Sequence, residues 1–207
     1  MAQSSLKVLA FNCSLKSGRD KEKSSTEKLL RELLAALEEH DARGATVRAV
    51  DHNIKPGVTS NEGEGDDWPA LRQRVVNADI LVMATPIWLG QPSSVAKRVM
   101  ERMDAFLTET DQKGRMPSYG KVAVVVVVGN EDGAHHCAAE LIQALTEVGF
   151  TCPPGSVTYW VGEAQGDKEY RDFRKAPKVV ADTTAMLASN TAHLARLLKK
   201  DSYPGIE

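Results

Sequence analysis

Between residues 11 and 26, FNCSLKSGRDKEKSST, this chain offers two kinds of phosphate chemistry. Cys13 and Arg19 have the Cys-x5-Arg spacing of a loop in which a low-pKa thiolate attacks a phosphate ester while backbone amides and a guanidinium fork hold it. Ser14, Ser24, Ser25 and Thr26, together with Lys16, offer something different: a cradle of hydroxyls and one cation for a phosphate that is bound and never cleaved. Asp20 argues for the cradle, because a carboxylate directly after the arginine repels a phosphate, and a thiolate loop needs Ser or Thr there. Cys13 then reads as a small buried residue beneath the loop. Ser24 and Glu27 have capping-box spacing, so a helix opens here, and its unpaired amides and positive dipole end favour an anion. Neither G-x-G-x-x-G nor G-x-x-x-x-G-K-[ST] is present, which argues against a dinucleotide held through a glycine fingerprint and against an NTPase.

Two further stretches carry unusual chemistry. In TPIWLGQP, residues 85–92, proline ends an apolar run, Trp88 offers a large flat surface, and Gly90 lets the backbone pass close to a ligand. In GNEDGAHH, residues 129–136, Gly129 and Gly133 flank Asn130, Glu131 and Asp132 at the mouth of a valine run, where polar groups can bond the edge of a ring system. His135 and His136 are adjacent at a helix start, face different directions, and read as exposed helix residues rather than as a metal pair or a catalytic base.

The elements that position these stretches follow from periodicity. Strands are expected at 6–12, 45–51, 79–84, 121–128 and 156–161, and helices at 24–40, from Asp67 or Trp68 to 77, and at 93–108, 134–148 and 177–198. Pro86 is expected to end the third strand and Pro92 to begin the helix after it. Leu29, Leu30, Leu33, Leu34 and Leu37 mark the buried stripe of the first helix; Val95, Val99, Met103 and Phe106 mark that of the third. Val180, Thr183, Leu187, Leu194 and Leu197 or Leu198 mark that of the last. Residues 52–67, HNIKPGVTSNEGEGDD, are a loop by composition. Val122–Val128 is apolar throughout, as a strand covered on both faces must be. Alternating strands and helices give an α/β fold, a three-layer sandwich with a five-stranded parallel sheet of flavodoxin-like order 2-1-3-4-5. One domain is expected over residues 1–207. In such a sheet ligands bind beyond the strand tips, where the three unusual stretches converge.

Composition sets the class. The chain has 207 residues, 42% hydrophobic and 26% charged, with a formal charge of -2, which gives no reason to expect nucleic acid or an anionic membrane as partner. No apolar run is long enough to span a bilayer and no secretory signal is visible, so a cytoplasmic location is expected. Cys13, Cys137 and Cys152 form neither a disulfide framework nor a zinc set, and no metal ligands are assigned.

The three stretches resemble the NADPH-dependent FMN reductase family of flavodoxin-like proteins. The resemblance lies in the hydroxyl loop (Ser14, Lys16, Ser24, Ser25, Thr26), the T-P-x-[YW]-x-G turn (Thr85, Pro86, Trp88, Gly90) with Pro92 and Lys97 after it, and the loop Gly129 to Gly133. It runs from about Leu6 to Leu198 and is tightest at Ala84 to Asp104. A long, charged first loop departs from the family pattern. The resemblance implies FMN bound non-covalently, its phosphate on Ser14 to Thr26. Its ring would lie between Thr85, Pro86, Ile87, Trp88, Leu89 and Gly90 on one side and Gly129, Asn130, Glu131, Asp132 and Gly133 on the other. It further implies NAD(P)H as co-substrate, a quinone, flavin or similar small-molecule acceptor, and a homodimer or homotetramer in which Tyr119, Tyr159 and Trp160 face a neighbour's cofactor. The flavin carries the chemistry, so no acid–base pair is needed and no catalytic residue is assigned. A flavodoxin-type electron carrier is the non-enzymatic alternative; such carriers are usually shorter and strongly acidic. Low-molecular-weight tyrosine phosphatases also carry Cys-x5-Arg after the first strand, but the Asp-Pro that supplies their general acid is absent from this chain.

Overall fold

The computed structural model describes residues 5–19, 23–163 and 166–206. Along the chain run β1 (Leu6–Asn12), α1 (Ser25–Glu38), β2 (Ala42–Arg48), α2 (Trp68–Val76), β3 (Ile80–Trp88), β4 (Gln91–Pro92), α3 (Ser94–Met103), β5 (Val122–Gly129), α4 (Ala134–Glu147), β6 (Val157–Val161) and α5 (Lys178–Lys200). The sheet order is β2-β1-β3-β5-β6, all parallel, with the two-residue β4 antiparallel to β3. With β4 set aside this is the expected 2-1-3-4-5 order, a flavodoxin-like sandwich.

The period-two alternation of a strand divides the valine run between two cores. Val122, Val124, Val126 and Val128 face the α1 and α5 layer, with Leu30, Leu33 and Leu187. Ala123, Val125 and Val127 face the α2, α3 and α4 layer, with Trp68, Val99 and Leu141. Burying each valine side chain stabilises the fold by roughly 1.5–3 kcal/mol relative to exposure, so β5 anchors both layers.

Boundaries differ from expectation where tertiary pairing overrides local pattern. β2 covers 42–48 rather than 45–51, and Ala49–Asp51 tightens into a 3-10 turn. Arg43 and Gly44 are poor strand formers, yet pairing with β1 carries them. Gly44 sits so close to β1 that a Cβ there would lie 1.6 Å from the Val8 carbonyl oxygen, so only glycine fits. β3 continues through Pro86 to Trp88 instead of ending at the proline. Its pairing with β1 stops at Ala84, so Pro86 lies where β3 has a strand on one side only, and a missing N–H is tolerated there. Pro92 belongs to β4 and does not begin α3; Ser93 caps that helix, its hydroxyl accepting the Ala96 amide at 3.1 Å. On α5 the buried stripe includes Val180, Leu187, Ala188, Ala192, Ala195 and Leu198. Thr184 takes the place expected of Thr183 and bonds Thr158 at 2.8 Å, while Leu197 is exposed and Leu194 half-buried.

Residues 52–67 contain no regular element, yet they are fixed. Arg102 of α3 is fully buried and donates to the Lys55 and Thr59 carbonyls at 2.9 and 3.1 Å and to Asp66 at 2.8 Å. Asp66 also accepts the amides of Glu62, Trp68 and Lys55. The loop is therefore bound to the outer side of α3. Burial pushes the Asp66 carboxyl upward, but Arg102 and the three amides outweigh it and hold the pKa down, at about 2. A depressed carboxylate pKa stabilises the fold above its unfolded value, near 3.8, and that contribution is lost as pH falls toward 2. Urea unfolding measured stepwise from pH 7 to pH 2 is expected to show about 2 kcal/mol disappearing in that window. Asp66→Asn is expected to remove that pH step and to lower stability at pH 7 by about 3 kcal/mol, because it leaves the Arg102 charge buried without its partner. An unchanged pH profile in the variant would show that the pair does not carry the effect.

Candidate functional site

The first wall of the site begins where β1 ends. The Asn12 side-chain oxygen accepts the Ser14 amide at 3.0 Å, turning the chain sharply, and the Cys13 amide bonds the Ala84 carbonyl at 2.8 Å. Cys13 is 0% exposed, and burial alone pushes its thiol far above the ordinary range. It cannot supply a thiolate, so the Cys-x5-Arg spacing is coincidental. Past Lys16 the loop bends away to Asp51, which accepts the Ser17 hydroxyl at 2.5 Å and the Gly18 amide at 2.9 Å. These bonds, Ser17 foremost, hold the Asp51 carboxyl below its usual range. Asp20 lies outside the described residues. The chain returns at Ser24, whose extended backbone and hydroxyl cap α1 by accepting the Glu27 amide at 3.2 Å. The first helical bond runs from Lys28 to the Ser24 carbonyl, so the amides of Ser25 and Thr26 stand outside the ladder.

The second wall is the β3–β4 hairpin. Trp88 pairs with Gln91 across a two-residue turn in which Leu89 and Gly90 both have positive φ, 53° and 74°. That is the geometry of a type I′ turn, for which Gly90 is suited and Leu89 costs about 1 kcal/mol. The result is an apolar tip in the open: Trp88 is 52% exposed and Leu89 90%. The third wall is the end of β5. Gly129 lies against Ile87, where a Cβ would meet that side chain at 2.8 Å, and its carbonyl takes the Gly162 amide at 2.8 Å.

Together these walls enclose a cleft of about 290 Å³ at the strand tips, near the lower end of the roughly 300–1,000 Å³ usual for small-molecule sites. Of the residues named from sequence, Ser14, Lys16, Ser24, Ser25 and Thr26 line it on one side, and Pro86, Ile87, Trp88 and Leu89 on the second. Gly129, Asn130 and Glu131 line the third. Ser14, Ser24 and Thr26 are buried, and the hydroxyls of Ser14 and Ser24 accept the Lys16 and Glu27 amides, each at 3.2 Å.

Four expected site residues are not among those lining the cleft. Thr85 is fully buried, its hydroxyl donating to the Pro86 carbonyl at 2.9 Å and accepting the Ser93 amide at 3.0 Å. Gly90 makes the turn, and Gly133 backs onto it so closely that a Cβ would lie 2.8 Å from the Gly90 backbone. Asp132 is exposed and accepts the Gly133 amide at 2.7 Å. Three lining residues went unread: Leu15, inside the hydroxyl loop, Val128, at the end of the valine run, and Glu169. Ser93 was also missed as a strut, its hydroxyl donating to the Cys13 carbonyl at 2.7 Å. His135 and His136 point to different partners, Tyr159 at 3.1 Å and Gln91 at 3.1 Å. Trp160 packs on Tyr170 and Phe173, and Tyr119 on Tyr203; Tyr159 is the exposed member of the expected aromatic set, on edge strand β6.

A larger groove of about 830 Å³ runs between α3 and α4, lined by residues such as Lys97, Met100, Leu141 and Ala144. Its only hydroxyl side chain is that of Ser94, with no cluster of hydroxyls, so the strand-tip cleft is the better candidate despite its size. A phosphate fits the cleft's buried hydroxyls and free amides, and a flat apolar ring fits its Trp88 and Leu89 wall.

Comparison with known proteins agrees with this geometry. The chain is 32% identical to 8-demethyl-8-aminoriboflavin-5'-phosphate synthase of Streptomyces davaonensis (strain DSM 101723 / JCM 4913 / KCC S-0913 / 768), over 96% of this chain and 80% of that protein. The crystal structure of RosB with bound intermediate 8-demethyl-8-formylriboflavin-5'-phosphate superposes with a TM-score of 0.84 at 30% identity, covering 97% of this chain and 82% of that one. The chain is also 37% identical, over 94% of its length, to a protein named divalent metal cation transporter MntH of Mycobacterium bovis (strain ATCC BAA-935 / AF2122/97). It spans only 29% of that protein, and among the described residues no helix is long and apolar enough to cross a membrane. Residues 6–165 match the NADPH-dependent FMN reductase family, so this chain belongs to that family.

Proposed function

We propose that the strand-tip cleft holds FMN and that the chain transfers hydride from NAD(P)H to it and electrons onward to a small acceptor, a quinone or a second flavin. The observation that carries this reading is that the buried residues Ser14, Ser24 and Thr26, with the Ser25 and Thr26 amides outside the α1 ladder, line the same cleft as the exposed apolar tip Trp88–Leu89. Charge is bound at one end of the cleft and a flat surface at the other. The flavin, when bound, supplies the redox chemistry.

The protein's part is binding and orientation. Ser14, Ser24 and Thr26 donate hydroxyl protons to the phosphate, and the α1 dipole and Lys16 offset its charge. Trp88 and Leu89 cover the ring and exclude water from it. Asn130 offers donor and acceptor atoms to the ring edge, and Gly129 lets the β5 backbone come close. Leu15, Trp88 and Leu89 form an apolar rim that suits burial against a second copy, in keeping with a homodimer or homotetramer.

A second reading has a specific observation behind it, the 32% identity to a synthase whose name describes a riboflavin phosphate as product. In that reading the flavin is a substrate altered on its ring rather than a resident cofactor. The electron-carrier alternative has FMN in the same cleft without a nicotinamide reaction.

One experiment separates the three. Anaerobic mixing of the FMN-loaded protein with NADPH is expected to bleach the flavin absorbance near 450 nm within seconds, a timescale set by ordinary turnover of about 1–1,000 per second. Reoxidation should return FMN of unchanged mass. No bleaching would favour the carrier, and a changed flavin mass the synthase. Thr26→Glu is expected to weaken FMN binding by about 100-fold through repulsion of the phosphate in a partly buried site, read by fluorescence titration. Cys13→Ser is expected to keep the bleaching rate within about twofold, since the change is nearly isosteric and the thiol touches no ligand, and neither form should hydrolyse p-nitrophenyl phosphate.

A further inference from the structure

Two carboxylates line the cleft, Glu131 at the tip of β5 and Glu169 beside the start of α1. Glu169 lies beyond the residues that match the family, on the segment between β6 and α5. Its Oε2 accepts the Ser25 hydroxyl at 2.7 Å, and the same Ser25 oxygen accepts the Arg171 amide at 3.2 Å. A hydroxyl has one proton to donate, so Ser25, expected to hold a phosphate, gives its proton to Glu169 instead.

Glu169 is held in place from several directions. Arg171 donates to the Lys23 carbonyl at 2.7 Å, and the Lys28 ammonium to the Tyr170 carbonyl at 3.3 Å and to the Phe173 carbonyl. The Tyr170 ring is buried against Trp160 and Phe173, and its hydroxyl donates to Glu32. Asn130, itself a lining residue, donates to the Gly166 carbonyl at 3.4 Å. The segment is thus pinned to α1 and to the end of β5, the two sides of the cleft.

An ionised carboxylate only accepts hydrogen bonds. A phosphate dianion is also an acceptor and repels it, so Glu169 is not a phosphate ligand. Between the ring and the phosphate of FMN, the hydroxyls of the ribityl chain are the available donors. We propose that Glu169 determines specificity by accepting hydrogen bonds from these ribityl hydroxyls, with Ser25 as the residue that positions its carboxylate; the assignment rests on the flavin reading above. Two consequences follow. The site favours flavins that carry a polyol chain over bare ring systems. The phosphate adds less to affinity than it would in a cradle free of carboxylates.

Fluorescence titration of the intact protein with FMN, riboflavin and lumiflavin, a ring without the polyol chain, tests this. Glu169→Ala is expected to weaken riboflavin binding by about tenfold or more, the effect of losing charge-assisted bonds. FMN should weaken by a smaller factor, because repulsion of its phosphate is relieved, and lumiflavin should not change. Glu169→Gln, which keeps the shape and one acceptor, should fall between wild type and alanine. Ser25→Ala should shift riboflavin in the same direction by less. Riboflavin binding unmoved in both Glu169 variants, or an equal loss for all three ligands, would overturn the assignment while leaving the flavin reading in place. A wild type that ignores all three flavins would remove both.

Discussion

Every feature of the site depends on one requirement, that the valine run of β5 be covered on both faces. A strand with no polar face cannot lie at a surface, so helices must pack on each side of it. Parallel neighbours then need crossover connections, and each crossover leaves the sheet at its C-terminal edge and returns the chain to the N-terminal edge. Helix N-termini follow the strand tips, bringing amides that no helical carbonyl can reach. The Ser25 and Thr26 amides beside the end of β1 are a direct result. Unpaired helix amides at that edge are therefore a consequence of how the core is covered.

Charge and burial decide what the loop after β1 does with an anion. A nucleophilic thiol needs partial exposure, whereas Cys13 is fully buried under the loop with its carbonyl tied to Ser93. What remains at the cleft are neutral hydroxyls, helix amides and Lys16, set against the carboxylates of Glu131 and Glu169. This balance is not that of a site built to grip a phosphate as hard as possible.

Much of the fold was legible because its signals are local. Leu6–Asn12 and the valine strand read correctly, since apolar runs of strand length have few other uses. The meeting of three short stretches at one cleft was legible for the same reason, because each follows a strand of the sheet. Edge strand β2 was misplaced because Arg43 and Gly44 take strand form only through pairing with β1. Glu169 was out of reach: 144 residues separate it from Ser25, and a single acid in a polar stretch has no spacing to mark it. Composition identified residues 52–67 as a loop but could not show that a buried arginine on α3 ties it down.

The TPxWxG stretch was informative for a reason different from the one it suggested. Thr85 was expected to touch the ligand, but its hydroxyl joins Pro86 to the amide of Ser93, and the Ser93 hydroxyl joins Cys13 to the cap of α3. Two buried hydroxyls thereby connect the loop after β1, the turn after β3 and the start of α3. Each lost bond in such a network leaves a buried polar group without a partner, at about 1–3 kcal/mol. The rigidity matters because the apolar tip it supports is unfavourable by itself, with Leu89 in a left-handed conformation and almost fully exposed. A tip that costs energy to present keeps its shape only if the residues beneath it cannot relax. Thr85 and, beyond the motif, Ser93 are therefore struts beneath the turn and the loop after β1.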